Sequence, residues 1–151
     1  MHIEKTILEA GLSLPSAPSP GGNYVPAKTV GKLVYLSGVI SADSSGVITG
    51  RAGDDCGVEE GYAAAQTCVL LHLAVLRQHL GSLDKVKSIV SVNGYVNAVA
   101  GFADSPKIIN GASDLLVKVF VEAGKHVRAA VGVSALPRNA LVELQMVVEI
   151  E

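Results

Sequence analysis

The chain has 151 residues, of which 49% are hydrophobic, 17% charged and 4% aromatic, with a formal net charge of −2 and no tryptophan. That length suits one domain with a sizeable core, and so little charge implies that part of its surface is covered by further copies of itself. The acidic balance, the scattered lysines (Lys28, Lys32, Lys85, Lys87, Lys107, Lys118 and Lys125) and the few aromatic rings disfavour nucleic acid as a partner.

Met1-His-Ile-Glu-Lys is not followed by the apolar run of a signal peptide. Ile3, Ile7 and Leu8 ahead of Gly11 predict a short amphipathic helix. Residues 12–22, Leu-Ser-Leu-Pro-Ser-Ala-Pro-Ser-Pro-Gly-Gly, contain three prolines that fix an extended path and remove backbone donors. They are expected to form an arm laid over the body. The chain is thus divided into a helix and arm over 1–22 and a core over 23–151, together one domain.

Asn23 to Val30 and Leu33 to Ile40, joined by Gly31-Lys32, read as two strands around a tight turn. The second is nearly all apolar and is expected to be buried on both faces. Gly46, Gly50, Gly53 and Gly57 punctuate a loop, but their spacing is neither G-x-G-x-x-G nor a P-loop, so no phosphate cradle is expected. Val58 to Leu80 is the clearest helix: Tyr62, Ala65, Val69, Leu73, Leu76 and Leu80 recur at steps of three or four, and Gly81 follows.

Val86 to Val96 reads as a strand with Val86, Val90, Val92 and Val96 on one face. A second helix is predicted over Ala112 to Ala123, ended by Gly124, with Asp104-Ser-Pro106 able to supply an earlier turn. Two strands close the chain, Val127 to Ser134 and Ala140 to Ile150, with Leu136-Pro-Arg-Asn139 as the turn between them. Val142, Leu144, Met146, Val148 and Ile150 share one face, and Glu143, Gln145 and Glu149 the other. This order predicts an α+β fold, a mixed sheet of four to six strands with both helices packed on one face.

No stretch reaches the eighteen or so apolar residues of a membrane span. Cys56 and Cys68 match no metal or redox spacing, so a reducing, cytoplasmic setting is expected. His72 and His79 share a helix face but stand about 10 Å apart along its axis, too far to grip one ion. No metal site is expected, and no serine sits on a nucleophile elbow.

Arg128 is different in kind. It lies in Val127-Arg-Ala-Ala-Val-Gly-Val, where a desolvated guanidinium needs an acceptor and small neighbours leave room beside it. Two roles fit: an internal or inter-subunit salt bridge, or a bidentate clamp for a ligand carboxylate. Glu143 approaches Arg128 if the last two strands are neighbours, and is otherwise a solvated carboxylate. Tyr24, after Gly21-Gly22-Asn23, either packs beside a turn or closes a pocket. His126 shares the face of Arg128 and is expected to be an exposed loop histidine.

Arg128-Ala-Ala-Val-Gly-Val-Ser-Ala-Leu-Pro137 followed by Leu141-Val-Glu143 resembles the signature of the RidA family, also called YjgF or L-PSP. Gly22-Asn-Tyr24-Val and Leu36-Ser-Gly38 resemble its N-terminal segments. The longer Phe102 to Leu116 stretch resembles a branch usually labelled endoribonuclease or translation-initiation inhibitor. The resemblance, covering about residues 15–150, implies a chorismate-mutase-like fold, a homotrimer with clefts between subunits, and cofactor-free hydrolysis of 2-imino or enamine acids to 2-oxo acids and ammonia. It implies that Arg128 clamps the substrate carboxylate and Glu143 orients or activates water. Tyr24 would line the cleft, and Gly38 and Ala130 would offer backbone contacts. The chain departs from deaminating members at Ala129-Ala130, where they carry Ser-Cys or Thr-Cys, at Val39, where Gln is common, and at Ala100, where Asn is common. The pocket wall is therefore altered. A non-catalytic trimer that binds a small carboxylate fits the same residues, and a ribonuclease fits the branch label but not the charge.

Overall fold

The structure, a computed structural model, describes residues 2–151. Its longest helix, α2 (Val58–Leu80), has the predicted bounds. The Glu60 carboxylate accepts a hydrogen bond from the Gly57 N–H (3.1 Å) at its start. Gly81 closes it at φ 87°, a left-handed turn that a side chain would disfavour. Before it, α1 (Ile3–Glu9) buries Ile3 and Ile7. Arm residues Leu12, Leu14 and Ala17 then pack against the core.

A six-stranded sheet is built from β1 (Ala27–Val30), β2 (Leu33–Leu36), β3 (Val39–Ile40), β6 (Val86–Asn97), β7 (Val127–Val133) and β8 (Val142–Ile150). Its order is β1-β2-β8-β6-β7, with β3 also paired to β8. The β6–β7 pair is parallel and the others are antiparallel. A small hairpin, β4 (Ala42–Asp43) with β5 (Gly46–Val47), lies within the glycine-punctuated segment. Central β8 buries Val142, Leu144, Met146 and Val148, as its alternation predicts.

α2 packs side by side with α3 (Ser105–Phe120), and both cover one face of the sheet. Their close approach depends on Gly111, where a Cβ would collide with the Tyr62 carbonyl. α3 starts at Ser105-Pro106, seven residues before Ala112, so the early turn is part of the helix. Among the described residues no helix is long and apolar enough to cross a membrane.

Three expectations need correction. The strand after Gly31-Lys32 is not buried on both faces: Tyr35 is 47% exposed, because helices cover only one side of the sheet. In β6 the buried residue is Ile89, not Val90, because register shifts at Val86/Ser88 and Ile89/Ser91 re-phase the strand. Most consequential, the two strands carrying Arg128 and Glu143 are not neighbours. The chain turns at Pro137–Asn139 but passes over β6, which stands between β7 and β8.

Candidate active site

Arg128 lies opposite Val92 of β6, and Glu143 opposite Tyr95. Those β6 positions differ by three, an odd number, so the two side chains leave opposite faces of the sheet. Two strand spacings, about 10 Å, also separate their strands. One protomer therefore does not bring Arg128 and Glu143 together.

Arg128 emerges on the helix-covered face at the sheet edge. Its guanidinium donates to Ser113 Oγ (3.1 Å) and to the Pro106 carbonyl (3.3 Å), both on α3. Ser113 Oγ is also 2.8 Å from His126 Nε2, and His126 Nδ1 is 2.7 Å from the Gly124 carbonyl. The Nδ1–H tautomer satisfies this chain: Nδ1 donates to Gly124 and Nε2 accepts from Ser113, leaving Ser113 to accept from Arg128. His126 is thus a half-buried member of the Arg128 network, not an exposed loop histidine. Lys125, Asn110 and these side chains line an open cleft of about 300 Å³ with no acidic wall. Lys125 is paired with Glu122 (2.8 Å), which leaves Arg128 as the cleft's one positive charge without an ion pair among the described residues.

Glu143 lies elsewhere, in a cavity of about 510 Å³ that Tyr24, Gly38 and Arg138 also line. Gly38 makes room for the carboxylate, since a Cβ there would stand 2.5 Å from Glu143 Oε2. Glu143 is half-buried, and burial alone pushes its carboxyl above the ordinary range. The Tyr24 hydroxyl accepts from the Gly21 N–H (2.9 Å), folding the end of the proline-rich arm against the cavity. So the structure gathers Tyr24, Gly38 and Glu143 and sets Arg128 apart. Ala130 of β7, paired with Gly94 of β6, lines neither space and packs against the core.

Two residues emerge only in three dimensions. Ser113 is one polar position within a helix, with no sequence signal beyond that. Arg138 reads in sequence as a turn residue, but it lines the Glu143 cavity and makes no ion pair among the described residues. Arg138 and Asn139 both take φ 57°, which costs about 1–2 kcal/mol at Arg138, while asparagine adopts this region more readily. Buried Asn97 holds this turn, its amide donating to Asn139 Oδ1 (3.2 Å) and to the Ala140 carbonyl (3.1 Å).

The histidines and cysteines of α2 and its surroundings are structural. His72 is fully buried with Nε2 donating to the Leu144 carbonyl (2.7 Å), and burial lowers its pKa to about 4. His79 Nε2 is 2.7 Å from Thr29 Oγ1. Cys56 and Cys68 are free thiols, and burial raises the pKa of each.

Residues 4–150 match the family described as "YjgF/chorismate mutase-like, putative endoribonuclease". The chain belongs to the YjgF family. Its relatives include a Trypanosoma cruzi protein named TCP17, 41% identical over 99% of this chain and 94% of that one. A Dermatophagoides farinae protein named 2-iminobutanoate/2-iminopropanoate deaminase is 33% identical over 93% of this chain and 95% of that one. A crystal structure of a "putative endoribonuclease" from Shewanella oneidensis superposes with a TM-score of 0.95 at 34% identity, covering 99% of this chain and all of that one. The YjgF assignment agrees with the resemblance carried by Arg128, Leu136-Pro137 and Glu143, and with the α+β mixed sheet.

Proposed function

We propose that this YjgF-family chain hydrolyses reactive 2-imino or enamine acids to 2-oxo acids and ammonia, in a cleft completed between copies arranged as a homotrimer. The observation that carries the reading is Glu143: a half-buried carboxyl with a raised pKa, facing a cavity beside Tyr24 and Gly38. The deaminase name of the relative from Dermatophagoides farinae supports it.

Separation of Arg128 from Glu143 within one protomer supports a site shared between copies. So does the exposed apolar surface. β7 is a sheet edge with Val127 70% and Val131 46% exposed, while Tyr35 lies bare on β2. Unpaired edges and exposed apolar side chains of this kind favour self-association. In the assembled cleft, Arg128 of one copy holds the substrate carboxylate and Glu143 of the next faces the imine carbon. Gly38 and Ala130 offer backbone contacts, and Tyr24 covers the site.

The chemistry asks for little more than positioning. Water adds across the C=N bond, with Glu143 accepting a proton from it. The same carboxyl passes that proton to nitrogen to give a carbinolamine. It then carries the carbinolamine hydroxyl proton to the amino nitrogen as the C–N bond breaks and the C=O bond forms, giving a 2-oxo acid and ammonia. A raised pKa suits a group that must both accept and return a proton.

A second reading, a non-catalytic trimer that binds a small carboxylate, is favoured by Ala129 and Ala130, which give β7 no side-chain donor beside Arg128. An imine generated in situ by an amino-acid oxidase separates the two. Arg128-dependent acceleration of 2-oxo acid release supports the deaminase. Binding of 2-oxo acids with release no faster than in buffer supports the binding trimer.

A further inference from the structure

Arg128 is held by neutral acceptors. Its Nη1 donates to Ser113 Oγ (3.1 Å) and its Nη2 to the Pro106 carbonyl (3.3 Å), both on α3. A long side chain on a sheet edge gives up rotamer freedom when it grips a ligand, and that loss weakens the grip. Contacts in place before the ligand arrives remove part of the loss.

The chemistry of the partners matters as much as their place. A carboxylate beside Arg128 would hold it more strongly, but would cancel its charge and occupy the donors that a ligand carboxylate needs. A hydroxyl and a peptide carbonyl fix the side chain and leave its charge whole. Each terminal nitrogen keeps a second hydrogen, and neither contact uses Nε–H, so a bidentate grip remains open.

Ser113 can act as that acceptor because of His126. A serine within a helix commonly returns its proton to a carbonyl one turn back. Here the Gly124 carbonyl keeps a proton on His126 Nδ1 (2.7 Å), so Nε2 takes the Ser113 proton (2.8 Å). The hydroxyl turns its lone pairs to Arg128, and giving up its own proton makes it a stronger acceptor. Ser113 and His126 are half-buried while Arg128 is exposed, so the contacts run from the margin of the core out to the cleft.

We infer that Ser113 and His126 are positioning residues for the carboxylate clamp, holding Arg128 in its gripping rotamer without neutralising it. Both act through Arg128 and not on the substrate. The inference rests on the proposed role of Arg128 as the clamp, which the deaminase and the binding trimer share.

The test measures calorimetric binding of pyruvate and hydrolysis of the imine of alanine, with thermal melts and oligomeric state as controls. Ser113→Ala removes the acceptor and is expected to weaken pyruvate about tenfold, the low end for a hydrogen bond to a charged group. Ser113→Thr keeps the hydroxyl and should stay within about threefold of the wild type. Ser113→Asp holds Arg128 by an ion pair but cancels its charge, so pyruvate should weaken about tenfold or more with no loss in melting temperature. His126→Leu should behave as Ser113→Ala does, and His126→Gln, which keeps an acceptor, should restore binding. This pair repeats the comparison should a Ser113 variant not fold.

Wild-type binding by Ser113→Ala or Ser113→Asp, with Arg128→Ala impaired, overturns the inference and leaves the clamp standing. Equal loss in all three Ser113 variants also overturns it, since that pattern marks packing of α3 and not the hydroxyl. A wild type that binds no pyruvate, or an Arg128→Ala variant that binds it as tightly, overturns the clamp and this inference with it. The expected series without imine hydrolysis by the wild type upholds the positioning role and overturns the deaminase.

Discussion

The carboxylate of Glu143 rests against the bare Cα of Gly38, so closely that a Cβ on residue 38 would stand 2.5 Å from Oε2. The contact ties a loop residue between β2 and β3 to a side chain on β8. It accounts for the glycine of the Ser-Gly pair in an otherwise apolar segment, while the Ser37 hydroxyl donates to the Val25 carbonyl (2.7 Å). Gly38 is not in the left-handed region, so its role is space and not backbone freedom.

Gly38→Ala should therefore push the Glu143 carboxylate aside without unfolding the chain. Imine hydrolysis is expected to fall about tenfold or more, because a displacement of about 1 Å at a reacting group costs up to a hundredfold. Thermal unfolding should shift little. A variant with wild-type rates would show that the position of Glu143 is immaterial.

Glu143→Gln separates activity from stability. Loss of a general base costs about 10²–10⁴-fold in rate. The folded protein raises the pKa of Glu143 by burying it, so the native state holds its proton more tightly than the unfolded one. Stability contributed by this group is thus lost as pH rises from the ordinary carboxylate range through the raised value. At neutral pH the glutamine variant should be more stable by about 1 kcal/mol or less, given solvent screening of a half-exposed group. Paired rate assays and thermal melts check both signs. A less stable variant would mean that the carboxylate is paired in solution.

His72 has the opposite sign. Burial lowers its pKa from 6.5 to about 4, so between those values the unfolded state binds a proton that the native state refuses. Stability from this group is fully present above about pH 6.5 and falls by about 1.4 kcal/mol per unit down to about pH 4. Urea unfolding across that window should show this slope. His72→Gln, which keeps a donor for the Leu144 carbonyl, should flatten it. An unchanged slope in the variant would place the proton uptake on another group.

Much of the fold is legible in the sequence because it is local. The bounds of α2 follow from apolar steps of three and four and from Gly81, and the buried face of β8 follows from strict alternation. Strand adjacency is not local. Arg128 and Glu143 are only fifteen positions apart, a spacing that reads as a hairpin, yet the turn at Pro137–Asn139 leads past β6. Only β6, brought in from residues 86–97, reveals that the two side chains leave opposite faces. The same holds for Ser113 and His126: helix and loop residues become partners of Arg128 only once α3 lies over β7. Arg138 joins the Glu143 cavity because buried Asn97, forty-one positions earlier, holds its left-handed turn.

The central claim is that Arg128 of one copy acts with Glu143 of another, and mixing two inactive variants tests it most directly. Arg128→Ala and Glu143→Gln are purified separately, confirmed to be trimers, then unfolded and refolded together in equal amounts. In a ring of three, each cleft draws its arginine and glutamate from different copies, so about one quarter of the clefts in a random mixture regain both residues. Imine hydrolysis should therefore recover to about a quarter of the wild-type rate. A mixture no more active than either variant alone, with mixed trimers formed, would contradict a site shared between copies.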